Sequence, residues 1–264
     1  MPVTPSPISR SAIVTRLRSA GCVFAEDEAE LLIAAAATPA QLTAMVDRRA
    51  SGLPLEQVVG WADFCGLRIA VDPGVFVPRR RTEFLVRQAI ALAPPHAVIV
   101  DLCCGSGAVG AALAAALDPA ELHAADIGPA AVRCARRNLA AAGGHVYSGD
   151  LFEPLPATLH DRVDILAANV PYVPTGEVAL LPAEARLHEP RVTLDGGGDG
   201  LDVLRRVAAQ ALLWLAPGGS LLVEISERQE SEACDTARRG GLVPRVTRSA
   251  ELAVAVLIAS KPTG

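Results

Sequence analysis

From residue 97 onward, apolar strands alternate with helices. Strands read at 97–102, 121–126, 145–149, 162–168, 220–226 and near 252–260, and helices at 107–117, 129–142, 201–215 and 227–239. Alternation of this kind builds a parallel sheet covered on both faces. It also places any ligand at the carboxyl ends of the strands. Hydrophobic residues make up 51% of the chain but aromatics only 3%. The sheet must therefore pack on Ala, Leu and Val.

The chain ahead of residue 97 has a different period. Residues 7–60 read as short helices: Ile13, Val14 and Leu17 share one face, and Ala29, Leu32, Ile33 and Ala36 a second. Thr38-Pro39 is an N-cap followed by proline at the first helical position, and it opens a third helix. Leu67–Val71, Asp72-Pro73-Gly74 and Val75–Val77 read as strand, turn and strand. A helix follows from about Thr82, where capping accounts for Thr82 and Glu83. The expected organisation is a helical segment at 1–60, a β-hairpin linker at 61–78 and the α/β domain at 79–264.

Charge and cysteine usage narrow the function. A net charge of −5 argues against a protein that lives on nucleic acid. The six cysteines form no CxxC pair and no zinc-like spacing, so they read as small residues of a reducing cytosol, and no metal site is expected. MPVTPSPISR lacks the apolar stretch of a signal peptide, and the run Leu31–Ala37 is too short to span a bilayer. The expectation is a cytoplasmic protein without a membrane partner.

Ala97–Gly110, AVIVDLCCGSGAVG, is an apolar strand, a glycine turn and a helix start. Gly105 and Gly107 let backbone approach a ligand closely, and Asp126 ends the next strand, where it can accept from ribose hydroxyls. Gly105–Gly110 also satisfies GxGxxG, the dinucleotide pattern. Asp101 discriminates, because a carboxylate beside the turn would repel a pyrophosphate. It suits a cofactor that has no phosphate and carries a cationic amino acid end. S-adenosyl-L-methionine is such a cofactor, and an acid followed by GxG resembles the loop of class I methyltransferases. Cys103 stands where that loop more usually has glycine. Cys103 and the adjacent Cys104 read as small packing residues.

AANVPYVP, Ala167–Pro174, stops an apolar strand at an asparagine on the same sheet edge. Asn169-Val170-Pro171-Tyr172 resembles the (N/D)PPY motif with which methyltransferases modify planar amino groups. The lone pair of such a nitrogen is delocalised, so it attacks poorly. The Asn169 side-chain oxygen and the Val170 carbonyl can accept its two N–H bonds, which stabilises developing positive charge. Tyr172 can stack on the planar group. Pro171 keeps Val170 extended, and a carbonyl is the only contact that position must supply.

The order of several motifs resembles the HemK/PrmC family of protein-(glutamine-N5) methyltransferases, which modify the GGQ glutamine of peptide chain release factors. The similarity runs from about Leu53 to about Gln229: LPLEQVVG, FCG, FVPRRRTEFLV, DLCCGSG, NVPY, HEPRVTLDGGGDGL and APGGSLLVEISERQ. The resemblance implies a class I, Rossmann-like α/β fold with a mostly parallel seven-stranded sheet. It implies that Asp101, Cys103, Cys104, Gly105, Ser106, Gly107 and Asp126 hold the cofactor, with Asp150, Leu151, Asn169 and Thr82 beside them. Asn169, Val170, Pro171 and Tyr172 would then carry catalysis and bind substrate together with Arg79 and Glu189. The implied partner is a protein, a release factor.

The chain departs from that pattern at several points. Arg80 and Arg81 stand where the family has proline and often an acid, Ser226 replaces a glycine, and a charged C-terminal motif is absent around Ser249–Glu251. Three alternatives keep a footing. A nucleic-acid methyltransferase acting on adenine N6 or guanine N2 shares the tetrad, but the acidic balance and the lack of a target-recognition insertion weigh against it. A nicotinamide oxidoreductase rests on GxGxxG alone. A non-catalytic cofactor-binding adaptor rests on Val170 and the altered ends.

Overall fold

The computed structural model describes residues 8–263. Most of the stretch read for a signal peptide, and the start of the 1–60 segment, lie outside the described residues. Four helices come first: α1 (Arg10–Ser19), α2 (Ala25–Ala35), α3 (Pro39–Ala50) and α4 (Leu55–Val59). The Thr38 hydroxyl accepts from the Gln41 N–H at 3.1 Å, so the N-cap reading holds. Ile13, Leu17, Leu32 and Val46 close over a core of their own. Ile33 falls outside that core and is exposed, because α2 turns the face of Ala25, Ala29 and Leu32 inward.

The hairpin differs from its sequence reading. Its strands are β1 (Trp61–Phe64) and β2 (Leu67–Ala70), paired antiparallel from Trp61↔Ala70 to Phe64↔Leu67. Cys65 and Gly66 make the turn with φ of 50° and 75°. Positive φ at both central residues matches the twist of paired strands. Asp72-Pro73-Gly74 is a separate turn, with the Val75 N–H on the Asp72 carbonyl at 3.1 Å, and Val75–Val77 joins no strand.

The remaining chain runs α5 (Glu83–Leu92), β3 (Val98–Leu102), α6 (Ala108–Ala116), β4 (Glu121–Asp126), α7 (Pro129–Leu139), β5 (His145–Ser148) and β6 (Val163–Ala168). After α8 (Ala183–His188) come α9 (Asp202–Trp214), β7 (Leu215–Ile225), α10 (Glu230–Arg239), β8 (Val243–Ser249) and β9 (Val254–Ser260). Among the described residues these strands form one seven-stranded sheet in the order β5-β4-β3-β6-β7-β9-β8. The pairs from β5 to β7 are parallel, and β9 runs antiparallel to both β7 and β8. The mostly parallel α/β sheet is thus as expected.

The largest boundary shift falls between residues 214 and 220. The helix read to 215 ends at Trp214, and β7 begins five residues before the expected 220. Strand β8 has no counterpart in the sequence reading. It is a half-exposed edge strand carrying Pro244, Arg245 and Arg248, where proline and charge are tolerated because one side makes no ladder.

Alternation along β3 divides the core. Val98, Val100 and Leu102 pack with Leu204, Val207 and Ala211 of α9, while Ile99 joins Leu85 of α5 and Leu113 of α6 on the other face. The sheet order reverses between β3 and β6. Such a switch point leaves a crevice at the carboxyl edge. The glycine loop and the asparagine tetrad leave the sheet from these two neighbouring strands.

Candidate active site

A cavity of about 1020 Å³ opens at that edge. Its wall includes Asp101, the loop from Cys103 to Ser106, Asp126, Asp150, Leu151, Asn169–Val173, Arg79, Thr82 and Glu224. Most of the expected site residues therefore meet in one place. Gly107 and Glu189 are not on the wall.

Asp101 faces the α6 side with Ile99. Its Oδ2 accepts from the Gly110 N–H at 2.9 Å, its one protein partner among the described residues. Burial pushes the carboxyl up to about 7; the Gly110 bond opposes this and the nearby Asp126 charge adds to it. Asp126 ends β4 and accepts twice, from Gly105 N–H at 2.8 Å and Gly128 N–H at 2.7 Å. Burial still raises its pKa above the ordinary carboxylate range. Each ionised oxygen has further lone-pair sites, so these bonds leave acceptor capacity.

The loop between them is tight. Cys103 has φ 55°, the left-handed region, which explains why glycine suits that position better. Burial, with Asp126 and Asp101 nearby, pushes its thiol up, as expected of a packing cysteine and not of a reactive thiolate. Gly107 has φ 79°, and a Cβ there would press to 3.2 Å on Ala135 and Leu139. Its role is to let α7 pack beneath the loop. Asp150 is paired with Arg206 at 2.7 Å, while the buried Leu151 and the exposed Ile127 present apolar surface to the cavity.

The tetrad follows β6. Ala168 pairs with Leu102 on one side and Val223 on the other, so Asn169, the residue after β6, lies level with Glu224, the penultimate residue of β7. The Asn169 side chain makes no hydrogen bond with a described residue and lies on the cavity wall. Val170 is buried. The Tyr172 hydroxyl donates to Glu224 Oε1 at 2.9 Å and accepts from Arg81 Nη2 at 2.6 Å. Burial first, and then the Glu224 charge, raise the pKa of that hydroxyl, so it stays a donor.

Glu224 is the residue that the sequence reading missed. It is 2% exposed on β7, and it also accepts from Arg81 Nε at 2.8 Å and Thr82 Oγ1 at 2.7 Å. Thr82 therefore makes no helix cap, and Glu83 accepts from the Cys65 N–H at 3.1 Å instead of capping α5. An acid inside an otherwise apolar central strand was the available signal, since a buried charge needs a partner.

The glycine-rich segment 195–200 was also not assigned a role. Gly196 N–H donates to the Val173 carbonyl at 2.8 Å, and Thr175 N–H to the Gly197 carbonyl at 2.8 Å. A Cβ on Gly196 or Gly200 would collide with the Pro171 or Tyr172 carbonyl oxygen. The segment thus lies directly behind the tetrad. Arg79 and Glu189 hold each other: Nη2 reaches both carboxylate oxygens at 2.6 and 2.7 Å, and Val77 N–H adds a third bond at 3.1 Å. Among the described residues no cluster of His, Cys, Asp and Glu suits a metal ion, and no helix is long and apolar enough to cross a membrane.

Comparison with known proteins agrees with this geometry. Residues 66–212 match the methyltransferase small domain family. The chain is 39% identical over 199 residues to the release factor glutamine methyltransferase of Geobacter sulfurreducens, covering 75% of this chain and 69% of that one. It is 36% identical over 221 residues to the 4-amino-L-phenylalanine/4-methylamino-L-phenylalanine methyltransferase of Streptomyces pristinaespiralis, covering 80% and 74%. A methyltransferase structure from Pyrococcus furiosus shares the fold, with a TM-score of 0.57 at 15% identity over 75% of this chain and 90% of that one. The chain belongs to the methyltransferase family that contains the release factor glutamine methyltransferases.

Proposed function

We propose that this protein transfers a methyl group from S-adenosylmethionine to the side-chain amide nitrogen of a protein glutamine, the GGQ glutamine of a peptide chain release factor. One contrast carries the reading. Tyr172 is fixed through its hydroxyl and its carbonyl, whereas the Asn169 amide beside it has no partner among the described residues. A rigid platform next to a free acceptor fits a planar amide from outside.

The cofactor end of the cavity fits S-adenosylmethionine. Asp126 and the ionised form of Asp101 put negative charge there, while Asp150 and the cation beside it, Arg206, are paired with each other. A diphosphate would meet repulsion, while a cationic, phosphate-free cofactor is attracted. Asp126 would take the ribose hydroxyls, Leu151 and Ile127 the adenine, and Asp101 with Thr82 would lie toward the methionine end. When bound, the cofactor supplies a methyl group on a positively charged sulfur.

Asn169 Oδ1 and the Val170 carbonyl accept the two N–H bonds of the glutamine amide. They stabilise the positive charge that develops on the nitrogen as it takes the methyl group, and they aim the nitrogen at the cofactor end. One of the two N–H protons then leaves to solvent, so the product is a neutral N-methyl amide. Tyr172 stacks on the amide plane and excludes water from one face. The helices before residue 60 position the protein substrate. Arg49 of α3 supports this, since it binds Glu28 in its own bundle and Glu184 of α8 on the cavity wall.

The test is mass spectrometry of the GGQ peptide of release factors from strains with and without the gene. Methylation present in the parent and lost in the deletion is expected. Unchanged methylation would sink the assignment. Since one relative is named for an aromatic amine, 4-aminophenylalanine is a second substrate for the purified protein. Turnover on it, with none on release factor, would move the substrate to a small arylamine.

A further inference from the structure

Three consecutive arginines enter the cavity region and go three ways. Arg79 holds Glu189, Arg80 is exposed with no partner among the described residues, and Arg81 joins Glu224 to Tyr172. The Arg81 guanidinium lies 5.9 Å from the centroid of the Tyr172 ring. Nε donates to Glu224 and Nη2 to the Tyr172 hydroxyl, a two-pronged geometry that a rigid guanidinium supplies and an ammonium does not.

We propose that Arg81 is a positioning residue for methyl transfer, which sets the tilt of the Tyr172 ring through the hydroxyl and through Glu224. This rests on the reading that Tyr172 stacks on the acceptor amide. The physical case is a closed triangle of hydrogen bonds. The hydroxyl has one proton, and it goes to Glu224, leaving its lone pairs directed by whatever donates to it. Arg81 is the donor. With both a donor and an acceptor fixed, the C–O bond has one direction and the ring one tilt. With Glu224 alone, the ring can pivot about a single bond. A platform that pivots presents the amide at the wrong angle in part of the population, which lowers turnover more than binding.

The experiment has two readouts. The first needs no substrate. The chain contains two tyrosines, Tyr147 and Tyr172, so ring-labelled tyrosine gives two assignable NMR signals. In Arg81→Ala the Tyr172 signal should shift and its ring motion should increase, with Tyr147 unmoved; Arg81→Lys should restore it in part. The second is a kinetic cycle of Arg81→Ala, Tyr172→Phe and the double variant on the methyl acceptor. We expect kcat to fall about tenfold in Arg81→Ala with KM changed less, an effect on the order of 1.4 kcal/mol. In the Tyr172→Phe background, removing Arg81 should then change kcat by less than about twofold. An unmoved Tyr172 signal overturns the inference even if the substrate assignment fails. Additive kinetic losses overturn it even if the parent is active.

Discussion

The Gln229 side-chain amide donates to the Tyr172 carbonyl at 2.9 Å and to the Asp199 carbonyl at 3.0 Å. This one side chain ties the tetrad to the glycine-rich segment behind it. Gln229→Ala leaves two carbonyls without that donor, at a cost of about 1–3 kcal/mol in stability. Gly200→Ala should act in the same place, since Gly200 has φ 80° and a Cβ there would collide with the Tyr172 carbonyl. Denaturant midpoints measured beside methyl transfer check both, and a Gln229→Ala protein with parental values in each would refute the tie.

Asn169→Ala should lower turnover about 100- to 1,000-fold, the scale of one preorganised transition-state hydrogen bond. Cofactor affinity should change much less, because Asn169 is read as facing mainly the methyl acceptor. Val170→Pro should stay close to parental activity, since the carbonyl contact survives. Single-turnover rates with saturating cofactor decide the matter, and parental rates in Asn169→Ala would reduce the tetrad to a structural turn.

Asp126→Ala should weaken S-adenosylmethionine binding by about 1.5–3 kcal/mol, if the ribose bond is charge-assisted. The same change frees the Gly105 and Gly128 N–H groups, so calorimetry should be paired with Asp126→Asn. The amide keeps an acceptor and removes the charge. Equal affinity in all three proteins would put the ribose elsewhere.

Asp101 gives the protein a pH dependence with a definite sign. Its folded-state pKa, about 7, lies above the ordinary 3.8, so the folded protein holds this proton more tightly than the unfolded chain does. The cofactor-free protein should therefore lose stability as pH rises from about 4 to about 7 through this group. Binding of a cationic ligand favours the ionised form, so affinity for S-adenosylmethionine should rise with pH across about 7. Asp101→Asn should reduce both slopes, leaving the share carried by the raised Asp126 carboxyl. Calorimetric titrations at pH 6 and pH 8 test this, and a slope undiminished in the variant would assign it to another group.

Arg49 and Glu28 form a buried pair at 2.6 Å. Arg49→Ala leaves Glu28 without its partner inside the helical bundle, which should cost about 3–5 kcal/mol of that bundle's stability. Removing residues 1–60 altogether should leave cofactor binding measurable while abolishing methylation of intact release factor. Full activity of the truncated protein, measured beside calorimetry with S-adenosylmethionine, would contradict a docking role.

Local chemistry and periodicity determined much of this protein from its sequence alone. Alternating strands and helices gave the parallel sheet, because period-two and period-3.6 apolar patterns demand different partners. Asp101 with the glycine loop, and Asn169–Tyr172, marked two segments that meet on the cavity wall, because each depends on residue types at fixed short spacing. What lay beyond was decided by tertiary structure. Cys65-Gly66 took the hairpin turn from Asp72-Pro73-Gly74, since pairing rewards positive φ at both turn positions and Gly66 tolerates it. Strand β8 formed on an edge, where an apolar pattern is not required. Glu224, Arg81 and Gln229 reach Tyr172 from far along the chain, across 52, 91 and 57 residues. No local pattern encodes such contacts. They exist because the sheet brings β6, β7 and the turn before α5 to a single edge.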